Sequence, residues 1–308
     1  MHQNTQPEAY QSYPAIAPEK YKGKLDGQVA IVTGTSAGTG VPIAKALAAA
    51  GASVVCVARR EPAIKSLVEE IKAAGGKAIA VAEDVASKGA AQRIVKQAES
   101  AFGPVDILIN NAGISRIGPV AEEPNDVDLW WRVHEVNVRA PVALTRAVLP
   151  GMIERKKGYV ISISSGVLYM ALPCMSAYAS SKASITKFHE ALAIELQGTG
   201  VYSFTSTPGL VKTELGAPTD AINKNAMEHP GMKAFLGMMN NPDAFKPQDA
   251  DVLANLTVAM VADDCFKSLN GKFINGSKDA TAIMEEAKKE GAGRIGSEDM
   301  YTVRMHQL

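Results

Sequence analysis

The fold is decided by the stretch Val29-Ala30-Ile31-Val32-Thr33-Gly34-Thr35-Ser36-Ala37-Gly38-Thr39-Gly40. Its first five residues are mostly apolar and β-branched and predict a buried strand, and the glycines after them predict a tight turn. Residues 41–50 then predict a helix. A strand, a glycine-rich turn and a helix in this order are typical of a layered α/β fold, in which such units lie side by side in a parallel sheet.

Further units of the same kind follow along the chain. Short apolar runs predict six more strands, at residues 53–57, 77–82, 106–110, 159–163, 201–206 and 271–275. Helices are predicted between them at about 62–74, 88–101, 126–154 and 177–197. The strands are continuously apolar, which is typical of a parallel sheet covered on both faces. We therefore predict an α/β fold with a doubly wound, seven-stranded, mainly parallel sheet and helices on both faces.

The predicted domain spans residues 24–276. Residues 1–23 are polar and contain several prolines, so we predict a flexible N-terminal arm. Residues 277–308 predict a charged C-terminal tail, within which 280–290 have the composition of a short helix. The unpatterned stretch 210–245 predicts a lid over a substrate, because long irregular segments in compact domains commonly serve binding.

Composition narrows the function classes. The 308 residues include 32 Lys+Arg and 32 Asp+Glu, and this balance excludes the basic field of a nucleic-acid binder. No apolar run reaches the roughly 18 residues that cross a bilayer, and no signal peptide is apparent, so we expect no membrane partner. The three cysteines, Cys56, Cys174 and Cys265, are scattered, which predicts a reducing compartment and a cytoplasmic location.

The turn after the first strand predicts a dinucleotide-binding site. Its GxxxGxG spacing lets backbone N–H groups approach a pyrophosphate at the positive end of the helix. A tight turn without a ligand is the alternative. The second strand ends in Ala58-Arg59-Arg60, where an NAD site needs an acidic residue. Two guanidinium groups suit a 2′-phosphate, which favours NADP(H) and leaves NAD(H) possible; the alternative is that both arginines are solvated surface residues.

A second group of residues predicts proton transfer. Tyr178 and Lys182 are four residues apart in a predicted helix and so share one face. The ammonium group is expected to lower the pKa of the phenol, which then gives a proton to a carbonyl or takes one from an alcohol. Ser165 follows the fifth strand and suits donation to a carbonyl oxygen. Taken alone, such a Tyr–Lys pair also fits an ordinary helix surface.

Together these motifs resemble the short-chain dehydrogenase/reductase family, in its ordinary single-domain branch, over residues 24–276. The resemblance lies in Thr33-Gly34, Gly38 and Gly40, Asp84-Val85, Asn110-Asn111-Ala112-Gly113, the set Asn137, Ser165, Tyr178 and Lys182, and Pro208-Gly209. It implies a Rossmann fold and an enzyme that acts on a CH–OH group. A difference is Thr39, where the family usually has an apolar residue, which puts a hydroxyl near the expected nicotinamide.

The resemblance also implies a role for each residue. Tyr178 would be the general acid/base, and Ser165 would polarise the substrate oxygen. Lys182 would hold the nicotinamide ribose, and Asn137 would anchor a water that links Lys182 to solvent. Cofactor contacts are expected at Gly34, Thr35, Ser36, Gly38, Thr39, Gly40, Arg59, Arg60, Asp84, Val85, Asn111, Ala112, Gly113, Tyr178, Lys182, Pro208, Gly209, Val211 and Thr213.

Two segments, 166–175 and 210–245, are predicted to wall the substrate site. They are rich in methionine and other apolar residues, which favours a fairly large apolar carbonyl or alcohol substrate. A packed satellite core is the alternative. The candidate pocket residues are Leu168, Met170, Leu172, Cys174, Met175 and Leu215.

The function predicted from these observations is NADP(H)-dependent hydride transfer between nicotinamide and a carbonyl or secondary alcohol. The alternatives are a non-redox protein of the same fold (a cyclase, an isomerase or a nucleotide-sensing binder) and NAD-linked alcohol oxidation. The five histidines are dispersed, so no metal is expected. The resemblance further implies a homodimer or homotetramer formed through helices 126–154 and 177–197, where Val142, Leu144, Val148 and Leu149 either supply apolar contact surface or face the sheet.

Overall fold

A computed structural model of the chain describes residues 8–124, 126–211, 221–239, 241, 246–297 and 302. Seven strands form one sheet: β1 Val29–Thr33, β2 Ser53–Ala58, β3 Lys77–Ala82, β4 Ile107–Asn110, β5 Gly158–Ile163, β6 Val201–Thr207 and β7 Phe273–Asn275. Their order is β3-β2-β1-β4-β5-β6-β7, and every pairing between them is parallel. The predicted doubly wound sheet is confirmed.

Helices cover both faces of the sheet. The bounds are α1 Gly40–Ala49, α2 Glu61–Ala73, α3 Ala90–Phe102, α4 Asp128–His134, α5 Ala140–Glu154, α6 Ser176–Glu195, α7 Pro230–Met239, α8 Ala250–Ala262, α9 Thr281–Ala287 and α10 Gly293–Ser297. Helices α1, α2 and α8 share one buried core with the sheet, and α3, α5 and α6 share the other. Successive residues of β1 point into different cores: Ile31 into the second and Val32 into the first.

Two helical regions differ from the prediction. The helix predicted at 126–154 is divided by a π-helical turn at Glu135–Arg139, between α4 and α5. Helix α8 was not predicted. It is buried at every position from 252 to 261, so its sequence is apolar on all sides and has no helical period.

The predicted flexible arm is wrong for residues 8–23, and residues 1–7 lie outside the described residues. Two short 3₁₀ turns, Pro14–Ile16 and Pro18–Tyr21, pack against the first core. Ile16 is 0% exposed and Tyr21 is 2% exposed. Burial of these two large side chains anchors a segment that is otherwise polar. The predicted tail also packs: Ile283 and Met284 of α9 are buried.

The segment predicted as an irregular lid contains regular structure. Residues 224–228 form a 3₁₀ turn and α7 follows it, while 212–220, 240 and 242–245 lie outside the described residues. Within the part of the chain that the structure describes, no helix combines the length and apolar character that a bilayer crossing requires.

Candidate active site

The turn between β1 and α1 lies tightly against the turn that follows β4. Gly34 and Gly38 have φ values of +73° and +62°, which favour glycine. A Cβ on Gly34 would lie 2.8 Å from Ala112 Cα, and one on Gly40 would lie 2.6 Å from Asn111 Nδ2. The glycines are therefore required for the close approach of these two turns.

Hydrogen bonds lock the same two turns together. Thr39 Oγ1 donates to Asn111 Oδ1 at 2.7 Å, and Asn111 Nδ2 donates to the Thr33 carbonyl at 2.9 Å. Thr33 Oγ1 accepts from the backbone N–H groups of Asn111 and Ala112, both at 3.0 Å. The hydroxyl of Thr39, which was expected near the nicotinamide, is thus bonded to Asn111.

A cleft of about 590 Å³ runs along the carboxyl ends of the strands. Most of the predicted cofactor residues line it: Gly34, Ser36, Gly38, Thr39, Arg59, Arg60, Asp84, Val85, Asn111, Ala112, Gly113, Tyr178, Lys182, Pro208, Gly209 and Val211. Ser165 lines it as well. The carboxyl edge at the point where the strand order reverses is the usual ligand site of such sheets.

Three predicted residues do not line the cleft, and one lies outside the described residues. Thr35 is fully buried and its hydroxyl donates to the Val57 carbonyl at 3.4 Å. Gly40 faces Gly34 and Asn111 instead, and Asn137 is buried behind the cleft. Thr213 is the residue outside the described part of the chain.

The prediction missed several lining residues, namely Ala37, Ala58, Glu83, Ile114, Arg132, Val136, Ile163, Ser164 and Leu210. Most of them are next to predicted residues in the sequence, and this adjacency is the feature from which they could have been predicted. Arg132 and Val136 come from α4 and the π-helical turn, and no motif in the sequence marks them. Arg132 Nη2 donates to Asp84 Oδ2 at 2.6 Å, so the carboxylate of this predicted cofactor contact is already ion-paired.

One end of the cleft, which we call the arginine end, is formed by Ser36, Arg59 and Arg60. The guanidinium of Arg60 donates through Nε to Ser36 Oγ at 3.2 Å and through Nη2 to the Ser36 carbonyl at 3.1 Å. Both arginines are exposed. The neighbouring Glu83 is held by Arg93 at 2.8 Å, which partly neutralises its charge. The arginine end therefore offers positive charge to an anionic group.

The opposite end, which we call the tyrosine end, brings together Ser165, Tyr178 and Lys182. The last two lie on α6, and Ser165 follows β5. Ser165 and Tyr178 both line the cleft, and the Ser165 side chain is near enough to the phenol to act on its pKa. Lys182 Nζ lies 5.6 Å from the centre of the Tyr178 ring and donates to the Ile163 carbonyl at 2.8 Å. The structure therefore places these three predicted side chains in one buried group.

Burial controls the titration of this group. It raises the pKa of Tyr178 to about 12, and Ser165 only partly opposes that rise. It lowers the pKa of the Lys182 ammonium from 10.5 to about 8. The net shift of the Tyr178 pKa is therefore upward, opposite to the lowered value predicted from the sequence, because burial of the phenol outweighs the opposing effect of Ser165.

Asn137 lies in the π-helical turn and is 2% exposed. Its Oδ1 accepts from the Ile114 N–H at 2.9 Å, and its Nδ2 donates to the Ile114 carbonyl at 2.9 Å and to Ser181 Oγ at 3.0 Å. These bonds fix the loop after β4 against α6. The water that Asn137 was expected to anchor stays a prediction.

The candidate pocket segment 166–175 packs beside Tyr178. Leu172, Cys174 and Met175 form an apolar cluster with Tyr178, and Met227, Met232, Phe235 and Leu236 of the lid segment join it. Leu168 and Met170 do not belong to this cluster, none of the five described candidates lines the cleft, and Leu215 lies outside the described residues. The cluster fits both the substrate wall and the satellite core that the sequence left open.

Residues able to bind metal are not grouped: among the described residues, no three His, Cys, Asp or Glu side chains converge on one point. His189 is fully buried on α6, within hydrogen-bond distance of Ser162 Oγ at 2.6 Å and Ser203 Oγ at 2.7 Å. It therefore links α6 to β5 and β6.

Comparison with known proteins agrees with this geometry. The family model described as short chain dehydrogenase matches residues 28–223. The chain belongs to the short chain dehydrogenase family. A short chain dehydrogenase of Pseudocercospora fijiensis is 56% identical over 299 residues, which cover 97% of this chain and 96% of that protein. Short chain dehydrogenases of this kind are oxidoreductases, so the coarse function is an oxidoreductase with a nicotinamide cofactor.

Two solved structures of dehydrogenases are similar. One is a candidate NAD(P) dependent gluconate 5-dehydrogenase of Beutenbergia cavernae with NADP bound at low occupancy. It is 28% identical with a TM-score of 0.70, and the match covers 82% of this chain and 96% of that one. The other is a short chain dehydrogenase of Burkholderia cenocepacia in complex with NADP, 29% identical with a TM-score of 0.68, covering 82% and 97%.

Proposed function

We propose that this short chain dehydrogenase is an NADP(H)-dependent reductase of a carbonyl group, with Tyr178 as its general acid. The observation that carries the proposal is that the side chains of Ser165, Tyr178 and Lys182 line the same end of the cofactor cleft. A phenol and a second hydroxyl at one point are able to hold a carbonyl oxygen between them.

The residues of the cleft fit a phosphorylated dinucleotide. Gly34 and Gly38 line the cleft, and the absence of a side chain at both positions would let a pyrophosphate approach the backbone at the start of α1. At the arginine end, Ser36, Arg59 and Arg60 would hold a 2′-phosphate. The two NADP-bound relatives support this preference over NAD. When bound, the nicotinamide supplies the hydride for the substrate carbon.

Each residue of the tyrosine end then has a definite task. Because its pKa is about 12, Tyr178 carries its proton at neutral pH and is ready to give it to the substrate oxygen as an alcohol forms. Ser165 donates a hydrogen bond to the same oxygen. Lys182 is anchored to the Ile163 carbonyl and places an amine next to the phenol. This protonation state suits the donation of a proton that the reductive reaction needs.

The substrate side of the site is apolar. Met175, Met232 and Leu172 pack around Tyr178, and methionine walls adapt to varied apolar shapes. We infer a fairly large apolar ketone or aldehyde as the substrate.

We also propose that the protein forms a homo-oligomer. Leu144 and Val148, which the sequence offered as contact surface, face the sheet in the second core. Three other large apolar side chains on this side of the molecule are exposed: Trp131 on α4, Ile153 on α5 and Ile194 on α6. Light scattering on the intact protein should give a mass above that of one chain, and Ile194→Glu should lower it; a monomer at micromolar concentration would contradict the proposal.

The test of the enzymatic function uses purified protein, NADPH and a panel of bulky ketones. We expect loss of NADPH absorbance together with formation of one alcohol equivalent for each NADPH consumed. Tight binding of NADPH without consumption, while a substrate is isomerised or cyclised, would replace the proposal with a non-redox function. Faster turnover with NAD⁺ and an alcohol would replace it with NAD-linked oxidation.

A further inference from the structure

The segment Pro208–Leu210 forms part of the cleft wall near the tyrosine end, and one buried side chain lies directly behind it. Gln248 is 7% exposed. Its backbone N–H donates to the Leu210 carbonyl at 2.8 Å, and its Nε2 donates to the Gly276 carbonyl at 2.8 Å. The same Nε2 also donates to the Ala9 carbonyl. One glutamine therefore connects the cleft wall, the end of β7 and the N-terminal part of the chain.

The N-terminal partner of Gln248 is a short segment that we call the N-terminal strap, residues 8–13. The strap is bonded to two places at once. The Ala9 N–H donates to the Ser277 carbonyl at 2.9 Å, and Tyr13 Oη accepts from the Ala280 N–H at 2.8 Å. On its other side, the Tyr10 carbonyl accepts from the Asp249 N–H at 3.1 Å. The strap thus joins the residue after Gln248 to the residues after β7.

Gly209 shows how closely this cluster supports the cleft wall. Its φ is +70°, and a Cβ built on it would overlap Gln248 Oε1 and lie 2.7 Å from Ser277 Cβ. The Gly276 N–H donates to the Thr207 carbonyl at 3.0 Å, which ties the end of β6 to the same cluster. The Pro208–Leu210 wall therefore has Gln248 and Ser277 immediately behind it, and a shift of either displaces the wall.

Gln248 Oε1 is the remaining polar atom of the side chain, and it has no hydrogen-bond partner among the described residues. A buried amide with an unsatisfied oxygen is unfavourable for stability. This loss of stability accompanies the two bonds that Gln248 Nε2 donates, which hold the strap and the end of β7 next to each other. This arrangement indicates a side chain that serves position more than stability.

We propose that Gln248 is a positioning residue that holds the Pro208–Leu210 wall of the cofactor cleft, and that it does so through the N-terminal strap. The proposal rests on the proposed function only in taking the cleft as the dinucleotide site. Gln248 touches no reacting atom: it acts on the wall beside the tyrosine end and leaves the arginine end unaffected.

The test compares two ligands of different length on the full-length protein. NADP⁺ spans the whole cleft, whereas adenosine 2′,5′-bisphosphate occupies only the arginine end. Gln248→Met keeps the side-chain length and the backbone bond to Leu210 but removes both bonds that Nε2 donates, to Ala9 and Gly276. In this variant we expect NADP⁺ to bind about tenfold more weakly and the bisphosphate to bind within about twofold of the unmodified protein. Isothermal titration calorimetry measures both constants. The KM for NADPH should rise in parallel, with kcat at saturation nearly unchanged.

A matched control separates positioning from general loss of stability. Tyr21→Phe removes a hydrogen bond to the Ala15 carbonyl at 3.0 Å in the same N-terminal region, away from the cleft. It should lower the melting temperature and leave both ligand affinities unchanged. If Gln248→Met does not fold, Tyr13→Phe removes the bond to the Ala280 N–H and should weaken NADP⁺ binding about threefold with no effect on the bisphosphate.

Two results would overturn the proposal: equal weakening of both ligands in Gln248→Met or in Tyr13→Phe, or no weakening of either. Preferential binding of NAD⁺ would test the proposed cofactor preference and not the role of Gln248. If the unmodified protein binds NAD⁺ in preference to NADP⁺, the proposed cofactor preference fails, and the same variants test the positioning role with NAD⁺ and ADP. If it binds neither dinucleotide, both proposals fail.

Discussion

The arginine end and the tyrosine end of the cleft lie on the same edge of one sheet, yet they are built in opposite ways. At the arginine end, Arg59 and Arg60 are exposed and sit beside β2. At the tyrosine end, Tyr178 is 7% exposed and Lys182 5%, and both lie behind β5. In the sheet, β1 and β4 separate these two strands.

This difference shows what each end is able to do. Exposed charges attract an anion over a distance and are weakened by salt, so they suit recognition of one part of a ligand. Buried groups have shifted pKa values and fixed partners, so they suit a proton transfer. Substitutions at the tyrosine end should therefore affect turnover and stability, whereas substitutions at the arginine end should have a smaller effect, on cofactor affinity.

The largest effect is expected from Tyr178→Phe. Removal of the hydroxyl takes away the proposed proton donor and leaves Ser165 as the single hydroxyl of the pair, so kcat should fall about 10³-fold. The affinity for NADPH, measured by fluorescence titration, should change little.

Tyr202→Phe is the control for this prediction, because Tyr202 is a half-buried tyrosine of β6 that stacks on Tyr159 rather than at the cleft. It should keep full activity. Full turnover in Tyr178→Phe would show that Tyr178 is not the proton donor, and the tyrosine end would then have no catalytic role that distinguishes it from the arginine end.

The next effect concerns stability and pH at the tyrosine end. The pKa of Lys182 is about 8 in the folded protein, compared with 10.5 for a free lysine. Between these values the unfolded chain binds a proton that the folded chain has released, so stability rises with pH. From pH 8 to pH 10, the free energy of unfolding should therefore increase by about 2 kcal/mol relative to Lys182→Met.

Urea unfolding at both pH values measures this difference. Tyr178 contributes in the opposite sense, since its pKa is raised to about 12 and stability falls above pH 10, where an unfolded tyrosine ionises. That contribution is common to the protein and to Lys182→Met, so it cancels in the comparison. A relative stability that stays flat from pH 8 to pH 10 would show that Lys182 is solvated.

The smallest effect is expected at the arginine end. Arg60→Ala should weaken NADP⁺ binding about tenfold and leave NAD⁺ binding nearly unchanged, because one charge-assisted contact to a 2′-phosphate is lost. The loss should shrink as salt is raised, since the site is exposed. Arg146→Ala, at an exposed position of α5, should change neither affinity. Equal weakening of both dinucleotides by Arg60→Ala would assign Arg60 a structural role.

Much of the architecture was predictable from the sequence, for a physical reason. Strands buried on both faces are continuously apolar, so β1 was predicted with its observed bounds. The edge strand β3 is only partly buried, but its apolar run after Lys77 predicted its bounds as well. Helix α8 was missed because burial on all sides removes the periodic pattern that marks a helix. The packing of residues 8–23 was missed because it depends on Ile16 and Tyr21, two anchors in a polar context.

The candidate site divides in the same way. Tyr178 and Lys182 were predicted from a spacing of four residues, which a helix converts directly into one shared face. Their pKa values were not predictable, because the degree of burial is set by segments distant in the sequence. Met175 comes from the preceding loop and Met232 from the lid segment, and both pack against Tyr178.

The bond between Ala9 and Ser277 has a consequence for how the molecule is made. A chain is synthesised from its N-terminus, and early parts begin to fold while later parts are still being added. The strap, however, has its described long-range hydrogen-bond partners at residue 248 or later, and two of them, Ser277 and Ala280, follow β7, so it must wait until nearly the whole polypeptide has left the ribosome. The strap is thus translated early and is among the last segments to dock, and nascent chains stalled before residue 277 should leave it open to protease.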